Sequence, residues 1–447
     1  MIARWLAAAV TLALLAAAPA RAVEPERVVT EGGIEAWLVQ DDANPVISLK
    51  LAFRGGAALD PPELPGVAQL TADTLTKGAG ELDTRAFQDA LAAKAIELSF
   101  GAGRDSFRGG MKTLRDHRER AFELLGAALT QPRFDDKPVA RAKEQQRAAI
   151  ATRREEPARL AYETLYRTIF PDHPYGQPVD GTRASVSRIA PEALHAYTER
   201  VFTRDRLVVG VAGDITPKEL KPLLRKAFGG LPASAADARA VPDTEPANAG
   251  ETVIVEREAR QAWIALAQPG VTRDDPDYFA ARAVNQILGG GTFTSRLMRE
   301  VRRERGLAYS VSSGLRTLRH GPVLLAGLGT GNEQVAEALK VVRQTWRRLA
   351  EDGPTEDELA DAKKHLTGSF PLNLSSTAGI AGVLRVMQLD ELGIGYLDER
   401  AAEIEAVTAA DATRVARELL QPDALTTVIA GQPQGVEATL PAPDPGE

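Results

Sequence analysis

An arginine and a tyrosine seven residues apart, Arg302 and Tyr309, lie in the segment GGGTFTSRLMREVRRERGLAYSVSSG, residues 289–314. A guanidinium presents a fork of N–H donors to a peptide carbonyl or a C-terminal carboxylate. A phenol can donate to an oxygen that is gaining charge. Together they have the chemistry to hold and polarise a peptide main chain. A plainer reading treats Arg302 as one of several solvated arginines, beside Arg299, Arg303 and Arg305, and Tyr309 as a half-buried strand residue. Spacing alone favours the plainer reading. The elements that would position the pair are legible. Gly289, Gly290 and Gly291 call for a flexible or tightly turned backbone. Thr294 or Ser295 suits the N-cap of a helix whose apolar positions are Leu297, Met298 and Val301. Gly306 ends that helix, and 307–313 alternates as a strand with Leu307, Tyr309 and Val311 on one face.

Other chemistries are poorly supplied. The 447 residues contain no cysteine, which excludes disulfides, thiolate metal sites and a cysteine nucleophile. The five histidines, His117, His173, His195, His320 and His365, include no pair at metal-binding spacing. A formal charge of -7 offers no general case for nucleic acid. The run Gly327–Asn332 reads as a strand-to-helix turn. It lacks the glycine spacing and lysine of a phosphate loop. His173 reads as a hydrogen-bonded loop residue, and Asp73 with Glu97 as an unsupported carboxylate pair.

The chain is too long for one ordinary domain. Strand patterns at 34–40, 46–53, 96–100, 106–114 and 207–212 are interleaved with helical patterns at 65–76, 84–94, 116–129, 138–153, 157–170 and 191–202. The segment 234–250, rich in alanine, proline and acidic residues, reads as a linker. After it the pattern restarts. LVVGVAGD at 207–214 returns as LTTVIAGQ at 425–432, VARAK at 139–143 as LADAK at 359–363, and SFGAG at 99–103 as SVSSG at 310–314. Three matches in order at nearly one offset indicate two tandem α+β domains, 23–233 and 251–439, with a disordered tail over 440–447. At the N-terminus, Arg4, the apolar run 6–18 and Ala20-Arg21-Ala22 fit a signal peptide over 1–22, with an uncleaved anchor as the other reading. The expectation is an exported chain without a membrane span after cleavage, periplasmic in a Gram-negative source.

The segments 54–78, 170–182 and above all 289–311 resemble the pitrilysin, insulinase and mitochondrial-processing-peptidase metallopeptidases. The resemblance implies two homologous α+β domains. It also implies, in active members, an H-x-x-E-H zinc motif on a first-domain helix, with a distant glutamate completing the site. This chain departs from that pattern at each position. Gln69 and Asp73 stand where the histidines would be, Ala72 where the base would be, and Ala149 where the distant ligand would be. An amide and one carboxylate cannot hold tetrahedral zinc, and a methyl group cannot act as a general base. The resemblance also implies that Arg302 and Tyr309 hold substrate main chain. The expectation is therefore a non-catalytic, peptide-binding subunit that holds no cofactor and pairs with a homologue carrying H-x-x-E-H and zinc. A purely structural subunit is the first alternative, and a self-sufficient peptidase with an unrecognised metal site the second.

Overall fold

The computed structural model describes residues 24–236, 239–291 and 293–444, so the signal-peptide reading lies outside the described residues. The first sheet contains β1 (Glu26–Val29), β2 (Glu35–Gln40), β3 (Val46–Arg54), β4 (Glu97–Ala102), β5 (Ser106–Leu114) and β6 (Leu207–Gly213), in the order β1-β2-β6-β3-β5-β4. The second contains β7 (Thr252–Glu256), β8 (Gln261–Pro269), β9 (Ala308–Arg316), β10 (Val323–Gly331) and β11 (Thr426–Gly431), in the order β7-β11-β8-β10-β9. Without β1 the two orders coincide strand for strand, and in each the one parallel pair is equivalent, β2 with β6 and β7 with β11. The repeated LVVGVAGD and LTTVIAGQ segments are β6 and β11, in the same place in each sheet. Two tandem α+β units therefore share one topology.

Alternation along the strands separates two faces. On β3, Ile47, Leu49, Leu51 and Phe53 point into the first domain's own core. The opposite face carries smaller residues, among them Ser48, Ala52, Gly210 and Ala212. It is covered by a helix from the other domain, Thr377–Leu389, which buries Ile380, Ala381, Leu384 and Met387 against Trp37, Val39 and Ala212. The exchange is reciprocal. Helix Pro157–Ile169 of the first domain packs Ala161, Leu165 and Ile169 on Ala265, Ala267, Val428 and Ala430 of the second sheet. Polar bonds fix the first crossing. Gln388 donates to the Val209 carbonyl at 2.9 Å, Arg54 donates to the Gln388 carbonyl at 2.7 Å, and the Ser48 and Thr377 hydroxyls are 2.9 Å apart.

Close approach explains the glycines of these strands. A Cβ at Gly210 would lie 2.4 Å from the Ala381 carbonyl oxygen and 2.8 Å from Leu384 Cβ. In the second sheet, a Cβ at Gly327 would lie 2.1 Å from the Tyr162 hydroxyl, and one at Gly329 would lie 3.2 Å from the Trp263 ring. The run Gly327–Asn332 is therefore mostly the end of β10 rather than a turn, and its glycines make room for aromatic side chains. Between strand and helix comes only a short 3-10 turn, Asn332–Gln334.

The segment expected to be a loose linker forms no helix or strand over 239–250, yet it is held on both sides. Thr244 N–H donates to the His320 carbonyl at 2.7 Å, and Ala247 N–H donates to that of Ile169 at 2.8 Å. His173 is a hydrogen-bonded loop residue. Its Nδ1 accepts from Tyr175 N–H at 3.1 Å, which leaves Nε2 to donate to the Pro242 carbonyl at 2.8 Å. The start of the expected disordered tail is also engaged. Thr439 and Leu440 N–H both donate to the Thr252 carbonyl, and the Asp444 carbonyl accepts from Arg167. The edge of β7 supplies a free acceptor that composition does not reveal.

Replacing Gly210 by Ala is expected to push the crossing helix off β6 and to destabilise the chain by about 1–3 kcal/mol. A Cβ at Gly382, on the same helix, would meet nothing within 4 Å. Gly382→Ala should therefore leave stability unchanged or raise it by about 0.5–1 kcal/mol. Urea midpoints of the two variants check the contrast.

Candidate functional site

The helix Val67–Thr74 carries three of the four positions that depart from the zinc pattern. Its start is built from a distance. Gly66, at φ 101°, opens it without a side-chain cap of its own. The buried Asp60 carboxylate supplies the acceptors instead, taking Gly66 N–H at 2.8 Å and Ala68 N–H at 2.9 Å. Burial pushes the Asp60 carboxyl up to about 8, against the pull of the Gly66, Ala68 and Val67 N–H groups.

Along this helix Gln69 and Asp73 lie one turn apart, and the Gln69 amide donates to Asp73 Oδ1 at 2.9 Å. Ala72 is buried beside them. Helix Asp136–Arg154, which bears Ala149, packs against this helix. It is tied down by Gln146, whose amide donates to the Asp180 carbonyl at 2.7 Å, and by an ion pair from Arg153 to Asp180. Gln69, Ala72 and Asp73 thus share one helix, and Ala149 lies on a helix packed against it. Their chemistry does not fit zinc. Asp73 is the only one of the four with a ligand of the kind zinc takes, and Gln69 already engages it. Among the described residues no group of three or more His, Cys, Asp or Glu converges on a metal-sized site.

The second-domain stretch is built differently. Gln286–Gly290 forms a π-helical turn rather than a flexible loop. A Cβ at Gly289 would lie 2.6 Å from both the backbone nitrogen and the Oγ of Ser313 on β9, so glycine allows the turn to seat against the strand. Ser295, rather than Thr294, caps the next element, accepting Met298 N–H at 3.4 Å. That element is itself a π-helical turn, Met298–Arg303, with Leu297, Met298 and Val301 buried. Gly306, at φ 64°, ends it.

Tyr309 does not share a face with Leu307 and Val311. Thr330 pairs with Ala308 and Gly329 with Ser310, so Tyr309 is the extra residue of a β-bulge. A bulge re-aims the side chain it inserts. Tyr309 is 78% exposed, whereas Leu307 and Val311 are buried. The Arg302 guanidinium carbon lies 4.9 Å from the Tyr309 ring centroid and 5.6 Å from that of Phe293. Both distances are within cation–π range. Phe293 is 63% exposed, and nothing in its sequence context singles it out.

Several of the neighbouring arginines are neutralised. The buried Glu300 carboxylate lies 2.8 Å from Arg305 and 3.1 Å from Arg348, and Arg296 pairs with Glu358 at 2.6 Å. Burial works to raise the Glu300 carboxyl, but Arg348 and Arg305 hold it below its ordinary value. Among the described residues Arg302 forms no ion pair. Its guanidinium instead meets two exposed aromatic rings and, at 3.9 Å, the Met298 sulfur.

Residues 36–183 match the family described as Insulinase (Peptidase family M16), and residues 188–366 match the Peptidase M16 inactive domain. The Non-peptidase homolog YmxG of Helicobacter pylori is 30% identical over 332 residues, covering 73% of this chain and 76% of that protein. The chain belongs to the M16 peptidase family. Another relative, the Uncharacterized zinc protease YmxG of Bacillus subtilis, is 24% identical across 89% of this chain and 96% of its own length. A crystal structure of a peptidase M16 inactive domain from Pseudomonas fluorescens superposes with a TM-score of 0.85 at 30% identity, covering 94% of this chain and 100% of that one. The relatives' names point both towards and away from proteolysis. The similarity to a non-peptidase homolog and to an M16 inactive domain puts this chain with the non-catalytic members of the family.

The raised Asp60 carboxyl carries a pH signature. Between about 4 and about 8 the folded chain keeps a proton that the unfolded chain has lost, so stability falls as pH rises through that window. Asp60→Asn cannot ionise, and its urea midpoint is expected to change less between pH 5 and pH 8 than that of the parent chain.

Proposed function

We propose that this M16 chain is the non-catalytic, substrate-binding subunit of an exported two-chain zinc metallopeptidase. Its partner would be a homologue with an intact H-x-x-E-H motif and the zinc ion. Arg302 and Tyr309 would complete the partner's active site by holding the peptide main chain. The observation that carries this reading is an asymmetry between the domains. The metal positions of the first domain are replaced by Gln69, Ala72, Asp73 and Ala149. The second domain keeps Arg302 without a carboxylate partner, between the exposed rings of Phe293 and Tyr309.

In this reading the chain's own residues bind and orient the peptide, and the partner supplies the zinc-activated water. The Arg302 fork would take a substrate carbonyl, and the Tyr309 hydroxyl would face the oxygen that gains charge as the peptide bond is attacked. The two rings would hold the planar guanidinium in place before substrate arrives, which lowers the ordering cost of binding. Export rests on the N-terminal sequence. Among the described residues no helix is long and apolar enough to cross a membrane.

With the partner reconstituted, Arg302→Ala and Tyr309→Phe are each expected to lower kcat/KM for peptide cleavage by about 100-fold or more, the scale of losing one transition-state donor. Co-elution of the two chains should be unaffected. Full activity with either variant would favour a purely structural subunit. Stoichiometric zinc and peptidase activity in the purified single chain would overturn the two-chain reading.

A further inference from the structure

A cavity of about 650 Å³ lies within the second domain, bordered by the crossing helix Thr377–Leu389. Its volume is in the range of ligand-binding pockets. Four arginines line it, Arg273, Arg282, Arg385 and Arg400, together with His365 and one carboxylate, Asp390. Other acidic side chains of this region, including Asp274, Asp275 and Asp277, line an adjoining cavity instead. More than twenty ion pairs occur elsewhere in the described chain, yet none of these four guanidinium groups has a carboxylate within salt-bridge distance among the described residues.

Two of the four are held by aromatic faces. Arg273 stacks 4.0 Å from the Tyr278 ring centroid and 5.1 Å from that of Tyr396, and Arg400 lies 4.2 Å from the Phe370 centroid. Stacking fixes a guanidinium plane and leaves its N–H edge exposed to an oxyanion, although Arg400 spends one N–H on the Leu366 carbonyl at 3.0 Å. Arg385 Nε is buried and has no hydrogen-bond partner among the described residues. Burial lowers the Arg385 and Arg400 guanidinium values, so the site bears a cost that a bound anion would offset. Leu366, Val383, Met387, Leu392 and Ile404 give the rest of the wall an apolar surface.

We propose that this cavity is a carboxylate-binding site that takes an acidic segment of an extended peptide, its carboxylates on the arginine forks and its apolar side chains on the opposite wall. Arg302 and Tyr309 are not part of the lining, so the proposal stands or falls independently of the two-chain reading.

Calorimetry on the purified chain at low salt tests it with Leu-Glu-Leu-Glu-Leu peptides. An acetylated, amidated form carries only side-chain carboxylates. A Gln-for-Glu form with a free end carries only the terminal one, and a Gln-for-Glu form blocked at both ends carries none. Saturable binding is expected for at least one carboxylate-bearing peptide and not for the neutral one, and the responding form identifies the source of the carboxylate. Arg282→Gln and Arg385→Gln should each weaken that binding by about tenfold, the scale of one charge-assisted contact. Arg85→Gln, on a distant exposed helix, should not. Thermal melting checks folding, and should Arg385→Gln fail to fold, Arg282→Gln carries the test. Absence of saturable binding would overturn the proposal, as would equal binding of the neutral peptide or unchanged affinity in Arg282→Gln. Binding to phosphatidylglycerol vesicles in place of every peptide would also overturn it.

Discussion

Each sheet of this protein is closed by a helix that belongs to the other domain. A sheet buried on one face only would leave the second face wet, and here that face carries apolar side chains, Trp37, Val39 and Ala212 in the first sheet and Ala265, Ala267, Val428 and Ala430 in the second. Helices Thr377–Leu389 and Pro157–Ile169 supply the missing layer reciprocally. Each domain has its own inner core, but the outer face of its sheet is buried only by the other domain's helix. The relative position of the two halves is therefore set by core packing rather than by a linker. The packed course of 239–250, pinned by His320, Ile169 and His173, follows from that constraint.

The same exchange shapes where chemistry can occur. The crossing helix Thr377–Leu389 lies on the first sheet with one face and borders the arginine-lined cavity of the second domain with another. On the first-domain side, polar groups near the former metal positions satisfy one another: Gln69 with Asp73, Gln146 with the Asp180 backbone, Arg153 with Asp180. On the second-domain side, Arg302, Arg273, Arg282 and Arg385 keep donors without carboxylate partners.

Much of the fold was legible in the chain itself, because periodicity reports burial directly. The alternation in β3 and the apolar spacing of the long helices mark elements, and the repeats at 207–214 and 425–432 mark a duplication that the strand orders bear out. The residue types at 69, 72, 73 and 149 are likewise read from the chain alone. Less legible were features that depend on one residue more or less. The expected face shared by Leu307, Tyr309 and Val311 assumed unbroken alternation, and a bulge at Tyr309 reversed it. Gly327 and Gly329 looked like turn residues, but Tyr162 and Trp263 pressing on the strand explain them.

The sequence by itself determined the family, the two-domain α+β plan and the absence of a zinc-binding residue set at 69, 72, 73 and 149, because each depends on local pattern or residue identity. Only the tertiary structure decided which helix covers which sheet, that Phe293 joins Arg302 and Tyr309, and that four arginines distant in sequence line one cavity. Those facts depend on contacts between segments far apart in the chain, and a bulge, a π turn or a neighbour's side chain leaves almost no mark on the local sequence that it redirects.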